Sequence, residues 1–413
     1  MAAVLFHNAR LFDGWNAECR ENVSLQVEGG QIRAIVEGEL RVEGAERIDC
    51  RGRTLMPGLI DAHVHVYASS FDLARDAQRG SSYSAHYAAR FLRHALDCGF
   101  TTVRDVGGGD RGLALALAEG LLPGPRLYYG GRVLSQTGGH GDFRSPDLDA
   151  HGAACGCAAP LSFGMAIADG PEAVRLAVRE ELRRGASHIK LMASGGVTSP
   201  SDPIERCQCS EEEVRMAVRE AGRAGAYVAA HCHADAAVRH CLDWGVRSIE
   251  HASLIEADTA ALLAARGAYA VPTLAIVEAL RSNGGALGLP PASLAKLERV
   301  AQGALSSLER LQAAGARIGF GTDLLGPLYR RRGQEFLLRR QVQPALEILR
   351  SACAVNAALL QQEGRLGRLV VGAAADLLLV EGDPLADLGL LAGEGEALAA
   401  IMKAGQFHKR PQA

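Results

Sequence analysis

No part of this 413-residue chain approaches the run of about 18 apolar residues that a membrane-spanning helix needs, so no membrane partner is expected. Charge of one sign is missing as well. Lys and Arg number 44 against 47 Asp and Glu, leaving −3 with a pI near 6.5. A protein that lives on nucleic-acid phosphates needs a clustered positive excess, so no nucleic-acid partner is expected either. No secretory leader is expected: Met1-Ala-Ala-Val-Leu-Phe-His7 reaches a histidine, then Asn8 and Arg10, too early for one. The expected location is the cytoplasm. Low-complexity segments and solenoid repeats are absent, and aromatics are only 5%.

The cysteines suit a reducing compartment. Cys19, Cys50, Cys98, Cys232, Cys241 and Cys353 are scattered, while Cys155/Cys157 and Cys207/Cys209 form two C-x-C pairs. Those pairs are a candidate four-cysteine zinc site, but zinc pairs are usually spaced by two to four residues. Buried or loop thiols are the reading adopted.

What is present is an ordinary enzyme-like composition, 48% hydrophobic and 22% charged. The length allows one large α/β barrel or two domains. Both chain ends read as short strands: Val4–Phe6, Val23–Val27 and Ile32–Val36 at the start, Asp376–Val380 and Ala400–Lys403 at the finish. The two ends thus read as halves of one small β domain. Between them strand and helix alternate. Helices are predicted from Ala85 to Asp97, Pro171 to Arg184, Ser210 to Arg223 and Leu294 to Ala313, with Ser210 and Glu213 spaced as a capping box. Several end in glycine just before an apolar strand, at Gly99, Gly185, Gly225 and Gly315. That cadence predicts a parallel βα barrel of the TIM type, in which chemistry sits at the strands' C-terminal ends.

Polar residues accumulate at those ends. Strand period two turns His63 and His65, in Leu59-Ile-Asp-Ala-His-Val-His65, to one face, where both can reach one ion. Lys190 lies inside the apolar strand His188-Ile-Lys-Leu-Met192, where an uncompensated ammonium costs several kcal/mol. Other strands end on His231, His251 and Asp323. Each could be a satisfied core residue alone; six together are hard to assign to packing.

Met56-Pro-Gly-Leu-Ile-Asp-Ala-His-Val-His65, Lys190, the strand-end histidines, Gly321-Thr-Asp323 and the tail Gly372 to Pro384 resemble the amidohydrolase superfamily. Ser135-Gln-Thr-Gly-Gly-His140, Lys190 to Val197 and Gly321 to Gly326 resemble its prolidase-like branch, which is related to imidazolonepropionase. The resemblance runs nearly end to end. It implies a (β/α)8 TIM barrel over 56–364 and a small β-sandwich domain from 1–55 plus 365–413. It also implies two Zn2+ ions. His63, His65 and Asp323 would hold one, His231 and His251 the other, with N6-carboxylated Lys190 and a hydroxide bridging both. Asp323 would shuttle the proton from nucleophile to leaving amine.

His140 matches the branch residue that contacts substrate. His233 stands where the branch often has tyrosine polarising the scissile carbonyl. Both are therefore expected in catalysis and substrate binding. Arg144 and one arginine of Arg330-Arg-Arg332, Arg330 first, are candidates for a substrate carboxylate, although most such runs are solvated surface.

The expectation is a zinc hydrolase releasing a C-terminal amino acid from a dipeptide or N-acyl amino acid, working as a homo-oligomer. The alternatives are a cyclic-amide hydrolase of the imidazolonepropionase type and a non-catalytic assembly scaffold.

Overall fold

The structure is a computed structural model that describes residues 3–76, 79–144, 164–199 and 202–412. Cys155 and Cys157 lie outside those residues, and the eight cysteines within them are free thiols.

Eight parallel strands close a barrel: β1 Leu59–Val64, β2 Phe100–Asp105, β3 Arg126–Tyr129, β4 His188–Met192, β5 Tyr227–Ala234, β6 Ser248–Leu254, β7 Tyr269–Val271 and β8 Arg317–Ile318. Ladders run continuously from β1 to β3 and from β4 to β8. The two halves meet where Ser187 N donates to Tyr129 O (2.9 Å), Ala62 N to Phe320 O (2.8 Å) and Asp323 N to His63 O (2.9 Å). Strands β1, β2 and β4 are buried at every position, as expected of a parallel sheet covered on both faces.

The predicted helices occupy Ser81–Asp97, Pro171–Arg183, Glu211–Arg223 and Pro291–Ala313. The first begins four places early, behind Gly80, because its opening turn is exposed and lacks the apolar periodicity that marks the rest. The capping box forms: Ser210 Oγ accepts from Glu213 N, and a Glu213 carboxylate oxygen accepts from Ser210 N. The other oxygen of that carboxylate accepts from Gly170 N at 2.7 Å, tying this helix to the N-cap of the one before.

Both chain ends join one sheet, as predicted. Its eight strands form one hydrogen-bonded sheet. The edge strand Gln31–Glu37 folds back, with Ile32 N donating to Ala373 O at 2.9 Å, so the sheet encloses its own core of residues such as Phe6, Leu25, Leu55, Leu377 and Met402. Its strand Thr54–Pro57 crosses the junction expected at 55/56 and pairs with Leu377–Val380. Among the described residues, no helix is long and apolar enough to cross a membrane.

Candidate active site

At the C-terminal mouth of the barrel a cavity of about 80 Å³ is lined by His63, His65, His140, Lys190, His231, His233, His251 and Asp323. The structure thus brings together every residue expected to hold metal. Ring centroids lie 5.3 Å apart for His63 and His65, 4.9 Å for His63 and His251, and 4.6 Å for His231 and His251. Asp323 Oδ1 is 3.4 Å from Nε2 of both His63 and His65.

Two triads have ligand atoms mutually close enough for one ion: His63, His251 and Asp323, and His231, His233 and His251. The second brings His233 among the candidate ligands, a role not foreseen from its place beside the fifth-strand histidine. Among the described residues, the metal-competent groups include no cysteine.

Three of the rings have Nδ1 engaged by a partner. His63 Nδ1 lies 2.7 Å from Glu250 Oε2, His65 Nδ1 3.0 Å from Gly107 O, and His251 Nδ1 2.8 Å from the Thr273 hydroxyl. With Nδ1 occupied, Nε2 is left to face the cavity, and His63 Nε2 is buried with no hydrogen-bond partner. Burial holds all six rings neutral: His65, His140 and His233 fall to about 3, and His63, His231 and His251 well below the usual imidazole value. Neutral imidazole is the form that binds cations.

Lys190 is wholly buried, and that burial lowers its pKa, favouring the neutral amine. Burial likewise pushes Asp323 up to about 7. His251 and Asp323 adopt φ of +70° and +54°, a left-handed backbone that costs of order 1–3 kcal/mol at a non-glycine residue. Both strained positions carry candidate ligands.

A second layer of buried charge, beyond the residues predicted from sequence, fixes this geometry. Arg104 Nη2 donates to both oxygens of Glu250 (2.8 and 2.9 Å) while its Nε donates to Ala62 O (2.6 Å). Asp61 accepts from Thr322 Oγ1 (2.7 Å) and from the backbone of Thr322 and His63. Arg332 neutralises it, with the guanidinium 4.9 Å from the Phe91 ring centroid. Asp61 and Glu250 sit in the very strings that flagged His63 and His251, so adjacency was the available signal.

Glu250→Gln is expected to lower metal affinity about 10–100-fold with the fold intact, because the amide cannot match the carboxylate as the His63 acceptor. Metal titration of stripped protein checks this, and unchanged affinity would remove Glu250 from the account.

The two arginine candidates are placed elsewhere. Arg144 is held by Asp142 (2.7 and 2.6 Å), and Arg330 is half exposed and paired with Glu394 at 2.8 Å. Neither lines the cavity. His140 does: its ring stacks on His231 at 4.4 Å, and Nδ1 lies 2.9 Å from Ser199 Oγ. His233 Nδ1 is 3.1 Å from Ser253 Oγ.

Residues 54–406 match the Amidohydrolase family. The chain belongs to that family. It is a hydrolase acting on amide bonds. Ochratoxinase from Aspergillus niger is 35% identical over 371 residues, covering 86% of this chain and 76% of that protein. A solved amidohydrolase structure aligns over 100% of both chains with a TM-score of 0.97 and 43% identity. A prolidase solved in complex with N-methylphosphonate-L-proline covers 99% of this chain and 100% of its own, with a TM-score of 0.96 and 40% identity. This amidohydrolase accordingly has the prolidase-like fold and strand-end cluster that its sequence predicts.

Proposed function

We propose that this amidohydrolase is a binuclear zinc enzyme that releases a C-terminal amino acid from an N-acyl amino acid or a dipeptide. The observation that carries the reading is the convergence of six neutral imidazoles, one carboxylate and one buried lysine on a single cavity. The donor set suits divalent ions, since His63 Nε2 is buried without a hydrogen-bond partner and two triads that share His251 have ligand spacing. His63, His65 and Asp323 would hold one ion and His231 and His251 the other, with carboxylated Lys190 between them. A neutral Lys190 amine adds to CO2 and sheds one proton, which turns a costly buried cation into an anionic two-oxygen ligand.

When bound, the ions supply Lewis acidity and make water nucleophilic near neutral pH. The chain's own residues do the rest. Asp323 takes the proton that water releases and delivers it to the nitrogen as the C–N bond breaks. His140 and His233 orient the substrate's carbonyl and carboxylate; this role replaces the one expected of Arg144 and Arg330. The wall opposite is apolar, built from Phe143, Ile276, Leu280, Leu297 and Leu325. It excludes water and suits an apolar side chain or acyl group.

The test is a screen of Xaa-Pro, Xaa-Lys, Xaa-Arg and N-acyl amino-acid libraries with zinc and bicarbonate supplied. Release of free amino acid, greatest from substrates with apolar groups, is expected. The activity should disappear with chelation and return with zinc. Full activity in stripped protein, or hydrolysis confined to cyclic amides, would overturn the proposal.

A further inference from the structure

Beside the candidate active site an ammonium sits in a cage of carbonyls. Lys296, on helix Pro291–Ala313, donates from Nζ to the carbonyl oxygens of Ser199 (2.7 Å), Asp202 (2.5 Å) and Gly196 (3.2 Å). An Asp202 carboxylate oxygen adds negative charge at 3.8 Å. Three carbonyl dipoles directed at one point repel each other unless a cation with several donors lies between them. An ammonium has three donors around one compact charge, whereas a planar guanidinium presents a fork.

The caged segment follows β4 and grips His140. Ser199 Oγ lies 2.9 Å from His140 Nδ1, with an Asp202 carboxylate oxygen at 3.7 Å. Gln208 accepts from His140 N at 2.8 Å and donates to Asp202 at 2.9 Å. Gly196 packs against the imidazole, so that a Cβ there would come within 2.1–2.6 Å of three of its ring atoms. Leu297, next to Lys296, and Val300 line the cavity from the same helix. One ammonium therefore joins the apolar wall to the segment that clasps His140.

We propose that Lys296 is a positioning residue for substrate binding: its ammonium takes the place of a cation in this cage and fastens the segment that aims His140. The inference rests on the substrate role of His140 proposed above. Lysine here acts on binding rather than on chemistry, because the side-chain contacts that the caged residues Ser199 and Asp202 make toward the cavity go to His140.

The experiment compares KM and kcat for an N-acyl amino acid in the zinc-loaded parent, Lys296→Met, Lys296→Gln, Lys296→Arg and His140→Ala. Lys296→Met and Lys296→Gln are expected to raise KM about tenfold while kcat stays within about threefold and zinc content is unchanged. Lys296→Arg should fall between them and the parent. Methylammonium chloride, whose cation fits the cage, should restore most of the lost affinity in Lys296→Met. Tetramethylammonium chloride at equal ionic strength should not.

A parental KM in both neutral variants, or a raised KM indifferent to methylammonium, would overturn the proposal. Parental KM in His140→Ala would instead overturn the underlying role of His140. Whichever of the two neutral variants folds with full zinc decides the matter, which separates a positioning effect from lost stability.

Discussion

Replacing Lys190 with alanine is expected to lower kcat/KM by about 10⁴-fold and to cut zinc from about two ions per chain to one or fewer. The size of the effect follows from where the side chain sits. Lys190 is buried on an inward-facing strand position, flanked through the barrel by His63, His65, His231 and Asp323. Truncation removes the group proposed to bring anionic oxygens to both ions at once, and no neighbouring carboxylate can replace it. Glu250 is already engaged by Arg104 and His63, and Asp61 by Arg332 and Thr322.

Alanine also leaves room behind it. Formate or acetate entering that space should restore part of both the zinc content and the rate, since a free carboxylate offers the same pair of oxygens as the carbamate. Chloride should do neither. Parental activity in Lys190→Ala would mean that the lysine has no part in the centre.

The second large effect is at Asp323. Asp323→Asn is expected to depress kcat about 10³-fold, with kcat/KM falling equally, while thermal stability stays near that of the parent. Asparagine matches the volume of aspartate and is among the few residues that tolerate φ near the observed +54°. The backbone turn and the hydrogen bond from Asp323 N to His63 O at 2.9 Å should therefore survive. What is lost is an oxygen that can take a proton 3.4 Å from Nε2 of His63 and His65. A decrease of less than about tenfold would assign the proton transfer to another group.

The candidate ligands are legible in the sequence because barrel geometry imposes a simple rule. A polar residue that ends an apolar strand faces the mouth, which groups His63, His65, His231, His251 and Asp323, and Lys190 joins them as a charge inside an apolar strand. Helices were legible for a similar reason, their stripe of apolar positions being local. The layer behind the ligands was not. Asp61 and Arg332 are 271 positions apart, and the run Arg330-Arg-Arg332 has the composition of a solvated surface. Burial sorts that run: Arg330 stays outside with Glu394, whereas Arg332 is drawn inward by a carboxylate that would otherwise be buried alone.

Lys296 was hidden in the same way. On an amphipathic helix it reads like any exposed lysine, and its carbonyl partners lie about a hundred residues earlier. The small domain was recognised from strand patterns at both termini. Its curled single sheet depends on Ile32 meeting Ala373, a pairing that local patterning does not encode. His233 lines the cavity, and its closeness to His231 and His251 emerges only from the fold.

Elemental analysis of the protein, purified with zinc and bicarbonate and then freed of loosely held metal, tests the central claim most directly. About two zinc ions per chain, falling to one or fewer in Lys190→Ala, is the predicted result. A fully folded, fully active parent that carries no divalent ion would contradict it.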